Sequence, residues 1–137
     1  MGLMTENRTN EPDQALPLAG RTILVVEDEY YIADDLRRTL NDAGADIVGP
    51  FATVAKARQA LDEGKFDCAV IDLNLHGESG LPLANRLMQQ GKSFAIATGY
   101  GEGAVPEQYS EVPRIEKPFD PQALLQIVRK LSCARKS

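Results

Sequence analysis

The sequence predicts a doubly wound α/β domain, a five-stranded parallel sheet with helices on both faces. Two observations carry this: five short apolar runs recur along the chain, and segments with helical spacing separate them. Parallel strands need crossover connections, and right-handed crossover helices pack back onto the sheet. In such sheets ligands bind outside the carboxyl ends of the strands.

The strand-like runs are Thr22–Val26, the stretch around Ile47–Gly49, Cys68–Ile71, Phe94–Ala97 and a weaker one at Val112–Ile115. After the first run, Ile32, Leu36, Leu40 and Ala43 keep a helical spacing, and Gly44 is placed to cap the end. Thr53 can cap the next helix, with Val54, Ala57 and Leu61 on its buried face and Gly64 past its end. A third helix runs through Leu81, Ala84, Leu87 and Met88 to Gly91. Pro106 interrupts a fourth, near residues 102–110. Asp120 and Pro121 form an N-cap and first-turn pair for the last helix, which turns Leu124, Ile127, Val128 and Leu131 inward. Pro113 would remove a ladder hydrogen bond, so the fifth strand is expected at a sheet edge.

The chain of 137 residues has room for one domain. Residues 1–20 carry no apolar periodicity and read as a flexible leader, with the folded unit at 21–133 and a tail at 134–137. Hydrophobic residues make up 43% of the chain, enough for a core. Twenty acids against fifteen bases leave a net charge of -5, which disfavours nucleic acid and anionic membranes as partners. Cys68 and Cys133 are too few for a disulfide or zinc framework and read as small buried hydrophobes. Neither a membrane span nor a signal peptide is present, so the expected location is the cytoplasm.

The strand ends hold the chemistry. Glu27 and Asp28 follow the first run, Asp72 the third, Thr98 the fourth and Lys117 the fifth. Each has an ordinary local explanation: acids favour helix starts, Asp72 opens a Gly-containing loop, and Lys117 precedes a proline. Their coincidence at one rim is harder to explain locally. Two carboxylates about 4 Å apart repel by roughly 4 kcal/mol at an effective dielectric near 20, so such a cluster needs a cation. An oxygen-rich site with few protein ligands suits Mg²⁺, which shares its remaining positions with water and phosphate. The glycine-rich phosphate loops GxxxxGK[ST] and GxGxxG are absent, which argues against nucleotide or flavin binding at the first turn.

Over residues 21–133 the chain resembles the receiver domain of two-component response regulators. The matching pieces are ILVVEDE, VIDLNL with Gly80 eight residues beyond Asp72, ATG at 97–99 and KPF at 117–119. The resemblance implies a flavodoxin-like strand order 2-1-3-4-5 and a phosphorylation switch. Asp72 would accept a phosphoryl group from a phosphohistidine on a histidine kinase or histidine phosphotransfer protein. Glu27, Asp28, Asp72 and the backbone carbonyl of Asn74 would hold Mg²⁺. Lys117 and Thr98 would meet the phosphoryl oxygens, and the bond before Pro118 would be cis. The output would be a contact with a downstream protein target, or drainage of phosphate from the kinase, with no enzymatic activity beyond self-catalysed phosphorylation and dephosphorylation.

Three positions depart from the family pattern. Arg114 stands where an aromatic switch residue is usual, His76 where a proline is common, and Tyr100 follows Thr98-Gly99. ATGY resembles the stand-alone receivers nicknamed FAT GUY, with Ile96 in place of their Phe. Tyr100 is therefore a candidate for the signalling role that Arg114 cannot perform, against simple packing over its loop. His76, the sole histidine, reads as a loop side chain. Three alternatives stand beside a single-domain regulator: the excised receiver of a hybrid kinase, a pseudo-receiver that binds without phosphorylation, and an aspartyl-phosphate hydrolase. Asp72-Leu73-Asn74 lacks the second acid that haloacid-dehalogenase-like hydrolases carry there.

Overall fold

The computed structural model describes residues 16–99 and 105–136, with side chains to Leu131. Five parallel strands form one sheet: β1 (Thr22–Val26), β2 (Asp46–Phe51), β3 (Cys68–Asp72), β4 (Ser93–Gly99) and β5 (Arg114–Lys117). Their spatial order is β2-β1-β3-β4-β5, so the chain winds outward from β1 in both directions. The connecting helices are α1 (Tyr30–Asp42), α2 (Val54–Glu63) and α3 (Leu81–Gln90), and α4 (Pro121–Lys136) follows β5.

The strand sequences explain the layering. Side chains alternate across a strand, and a sheet covered on both faces needs apolar residues on both. Ile23, Val25, Cys68, Val70, Ala95 and Ala97 face one way, into a core completed by Leu36 and Leu40 of α1 and Leu124 and Val128 of α4. Leu24, Val26, Ala69, Ile71, Phe94 and Ile96 face the other, where Leu61 of α2 and Leu83 and Leu87 of α3 cover them.

The caps follow sequence chemistry. Thr53 Oγ1 accepts from the Lys56 amide at 3.2 Å, and Asp120 Oδ2 accepts from the Ala123 amide at 3.2 Å. Gly64 and Gly91 end α2 and α3 in the left-handed region, at φ 68° and 71°.

Several expectations need correction. Residues 1–15 lie outside the described part, but the end of the expected leader belongs to the fold. Leu18 is fully buried in the α1/α4 core, and its amide donates to the Ala43 carbonyl at 2.8 Å. Leu18 stands in the short apolar stretch at residues 15–19, broken by Pro17 and too brief to show a helical or strand period, so its burial could not be read locally. The α1 cap is Ala43, while Gly44 follows at φ 105° with the Ala19 backbone 2.9 Å from where its Cβ would stand. Met88 lies in α3 as expected and is 54% exposed.

The fourth helix is a single 3-10 turn, Glu107–Tyr109; Pro106, with ψ 148°, sets its start, and residues 100–104 lie outside the described part. Pro113 stands just ahead of β5 and contributes only its carbonyl, which accepts from the Ile96 amide at 2.9 Å. Cys68 is buried in β3, and the Cys133 side chain lies outside the described residues. Among the described residues, no helix is long and apolar enough to cross a membrane.

Candidate functional site

Because the sheet is parallel, the carboxyl ends of β1, β3, β4 and β5 share one rim. Glu27 and Asp28 follow β1, Asp72 ends β3, Thr98 lies near the end of β4, and Lys117 ends β5. Asp72 pairs in register with Ala97, so Thr98 stands one residue beyond its level on the neighbouring strand, half-buried.

Lys117 organises the charges. Along β5, Arg114 and Glu116 are exposed while Ile115 and Lys117 are buried, as alternation requires. Lys117 Nζ donates to Asp72 Oδ2 at 2.8 Å and to Glu27 Oε2 at 3.2 Å, and lies 3.6 Å from Glu29 Oε1. Asp72 Oδ1 accepts from the Asn74 amide at 2.8 Å, and Glu27 Oε2 accepts from the Glu29 amide at 3.1 Å. Asp72 is 1% exposed and Glu27 2%. The side chain of Asp28 is nearly covered as well, and its Oδ2 contacts Nδ1 of His76.

The Lys117 ammonium faces several carboxylates, and the electrostatics show the imbalance. Burial, reinforced by the Asp72 charge, pushes the Glu27 carboxyl from 4.5 up to about 7 despite the nearby ammonium. Burial alone would lower the Lys117 ammonium; its hydrogen bond to Asp72 and the charge of Glu27 prevail and hold it above an ordinary lysine. Oxygen atoms of Glu27, Asp28 and Asp72 all lie within 4.8 Å of one another. An all-oxygen donor set with surplus negative charge fits a hard divalent cation.

Gly80 supports this arrangement from below. A Cβ there would lie 2.5 Å from the Asp72 carbonyl oxygen and 3.1 Å from Leu73 Cα, so only glycine lets the start of α3 approach the end of β3. Between them the chain makes a small antiparallel ribbon of Asn74–Leu75 with Glu78–Ser79, turning at His76 and Gly77 with φ 53° and 86°. Positive φ at both central residues is the mark of a tight hairpin turn, and histidine is among the side chains that tolerate it.

The structure thus brings Glu27, Asp28, Asp72 and Lys117 together and adds His76, which sequence reasoning treated as an ordinary loop residue. The His-Gly pair between two short polar stretches was the available signal. The Lys117–Pro118 peptide is cis, as is Gly49–Pro50. Arg114 is exposed and does not belong to this cluster; Tyr100 lies outside the described residues.

The model of the response regulator receiver domain matches residues 23–129. The chain belongs to the receiver domain family. Among curated relatives, it is 30% identical over 121 residues to the sensory transduction protein LytT of Bacillus anthracis, covering 84% of this chain and 48% of LytT. It is 42% identical over 74 residues to the two-component response regulator PhoP of Pseudomonas aeruginosa, covering 54% of this chain and 32% of PhoP. This receiver therefore spans about half the length of LytT and a third of that of PhoP. Among solved structures, SdrG from Sphingomonas melonis Fr1 matches with TM-score 0.72 and 33% identity, covering 88% of this chain and 98% of SdrG. The response regulator PhyR from Brucella abortus, at 19% identity, TM-score 0.73 and coverage of 93% of this chain and 54% of PhyR, shares the receiver fold.

Proposed function

We propose that this receiver takes a phosphoryl group onto Asp72 from the phosphohistidine of a histidine kinase or histidine phosphotransfer protein, in a Mg²⁺-dependent reaction. The observation that carries the proposal is the contact of Lys117 Nζ with Asp72 Oδ2, 2.8 Å, inside a rim lined by Glu27 and Asp28.

The residues divide the work. An oxygen of the Asp72 carboxylate forms the new P–O bond as the donor's P–N bond breaks, and the bonding pair stays on the imidazole nitrogen. A carboxylate is a weak nucleophile, so the reaction depends on alignment and on neutralising the phosphoryl oxygens. Glu27, Asp28, Asp72 and the Asn74 carbonyl would hold Mg²⁺, which supplies charge neutralisation when bound. Lys117 is already held charged beside Asp72 and can turn toward the incoming oxygens. Thr98, at the end of β4, is the hydroxyl nearest in register to follow them. The Asn74 amide fixes Asp72 Oδ1.

Phosphorylation adds about -1.5 to -2 charges at this point, which redistributes the contacts of Lys117 and alters the surrounding surface. Arg114 faces solvent from β5, which leaves Tyr100 as the aromatic candidate for relaying the change. The output would be an altered protein contact, or withdrawal of phosphate from a kinase, and not turnover of a small substrate. The solved SdrG chain, 98% of which this receiver matches, has a solution structure described as its BeF3-activated conformation, which supports a phosphorylation-responsive rim here. Tyr30 and Tyr31, 78% and 82% exposed where α1 leaves the rim, offer the donor protein an aromatic surface.

The test is intact-mass analysis after incubation with acetyl phosphate and Mg²⁺, followed by incubation with phosphorylated histidine kinases. The expected result is one phosphoryl adduct, absent in Asp72→Asn and in chelator. An unmodified wild type beside a labelled control receiver would overturn the proposal and favour a pseudo-receiver.

A further inference from the structure

His76 stands where the acid cluster opens to solvent, and its position is set by backbone structure. The ribbon that carries it is anchored by Leu75, 2% exposed, and by the Gly77 amide donating to Asn74 Oδ1 at 3.1 Å. The left-handed conformation at His76 turns its imidazole back over the rim, where Nδ1 meets Asp28 Oδ2 across 48 positions of sequence. The His76 side chain remains 76% exposed, while that of Asp28 is only 7% exposed. The outermost carboxylate of the cluster therefore has a nitrogen donor directly against it.

We propose that His76 is a nitrogen ligand of the divalent-cation site, so that this receiver binds borderline cations such as Co²⁺, Ni²⁺ and Zn²⁺ through a mixed oxygen and nitrogen set. The inference rests on the reading of Glu27, Asp28 and Asp72 as a divalent-cation site. Its physical basis is donor chemistry. Mg²⁺ prefers oxygen ligands and gains little from an imidazole, whereas Co²⁺, Ni²⁺ and Zn²⁺ bind imidazole well. Asp28 Oδ2, which would hold the ion, already touches His76 Nδ1, so a rotation of the ring would present that nitrogen to an ion there. The ring is exposed and free to make that rotation without disturbing the core.

A ligand and a mere competitor for Asp28 predict opposite results, which makes the proposal testable. The measurements are calorimetric affinities of the untagged protein for Mg²⁺, Ni²⁺ and Zn²⁺, in wild type and His76→Ala, with NMR of the imidazole nitrogens during Zn²⁺ titration. The chain has one histidine, so the imidazole signals are unambiguous. The expected result is a loss of at least about tenfold in Ni²⁺ and Zn²⁺ affinity in His76→Ala, with Mg²⁺ affinity nearly unchanged. A large shift of Nδ1 on Zn²⁺ binding is expected alongside. Equal tightening of all three cations in His76→Ala, or an unmoved imidazole, would overturn the role as ligand. Failure of Mg²⁺ to bind wild type, or Mg²⁺ binding that survives Asp28→Asn combined with Asp72→Asn, would instead overturn the underlying site.

Discussion

Replacing Glu27 with glutamine should stabilise the metal-free protein at neutral pH and remove a large part of its pH dependence. In the folded chain the Glu27 carboxyl titrates near 7, against 4.5 in the absence of burial and the neighbouring Asp72 charge. The folded state therefore binds this proton more tightly than the unfolded state does. Stability from this group is fully present below pH 4.5 and is lost as pH rises toward and through 7. At about 1.4 kcal/mol per pH unit of difference, the loss amounts to about 3 kcal/mol by pH 8, and more than half of it has occurred by about pH 6. The substituted glutamine has no proton to lose and keeps nearly the same shape, so Lys117 retains its contact with Asp72. The assay is urea denaturation of chelator-treated wild type and Glu27→Gln from about pH 4.5 to 8. Subtracting the two profiles cancels the titrating groups remote from the rim and leaves Glu27 with the neighbours it acts on, Asp72 and Lys117. The variant should gain on the wild type steadily across this window, and added Mg²⁺ should narrow the gap by compensating the ionised carboxylate. A difference that is flat, or that shrinks as pH rises, would refute the electrostatic account of the rim.

Leu18→Ala should cost about 2–5 kcal/mol in denaturant unfolding, as for other fully buried leucines; a loss below about 0.5 kcal/mol would mean that the segment before Arg21 does not contribute to the core. Gly80→Ala forces a methyl group to within 2.5 Å of the Asp72 carbonyl, so it should cost about 1–3 kcal/mol by denaturation and slow acetyl phosphate labelling, because the displaced backbone carries Asp72.

Much of the sheet was legible because both of its faces are covered. Continuous apolar runs such as Leu24–Val26 and Cys68–Ile71 have few other uses, and their flanking caps, Thr53, Gly64, Gly91 and Asp120, are local signals of strong preference. The gathering of Glu27, Asp28, Asp72 and Lys117 followed from topology: parallel strands deliver their ends to one side. What escaped sequence reasoning depends on tertiary approach. Leu18 belongs to a stretch too short to show a period, and it is held in the core where Gly44 leaves room for the Ala19 backbone. His76 reaches Asp28 because its own φ is positive, a state that residue type permits but does not require. The segment before β5 was read as a helix interrupted by Pro106, and among its described residues the chain after the proline makes one short turn, Glu107–Tyr109.

Lys117 sits on an outer strand, yet its amine spans β4 to grip β3 through Asp72 and β1 through Glu27. It works as a tie-rod drawn across three strands, anchored at its far end by two acids and at its near end by the backbone leading into α4. A phosphoryl group on Asp72 would offer the amine new oxygens, so the far anchor of the rod would shift while its near end stays fixed to β5. A chemical change at the centre of the rim would therefore be passed to the β5 flank through a single side chain.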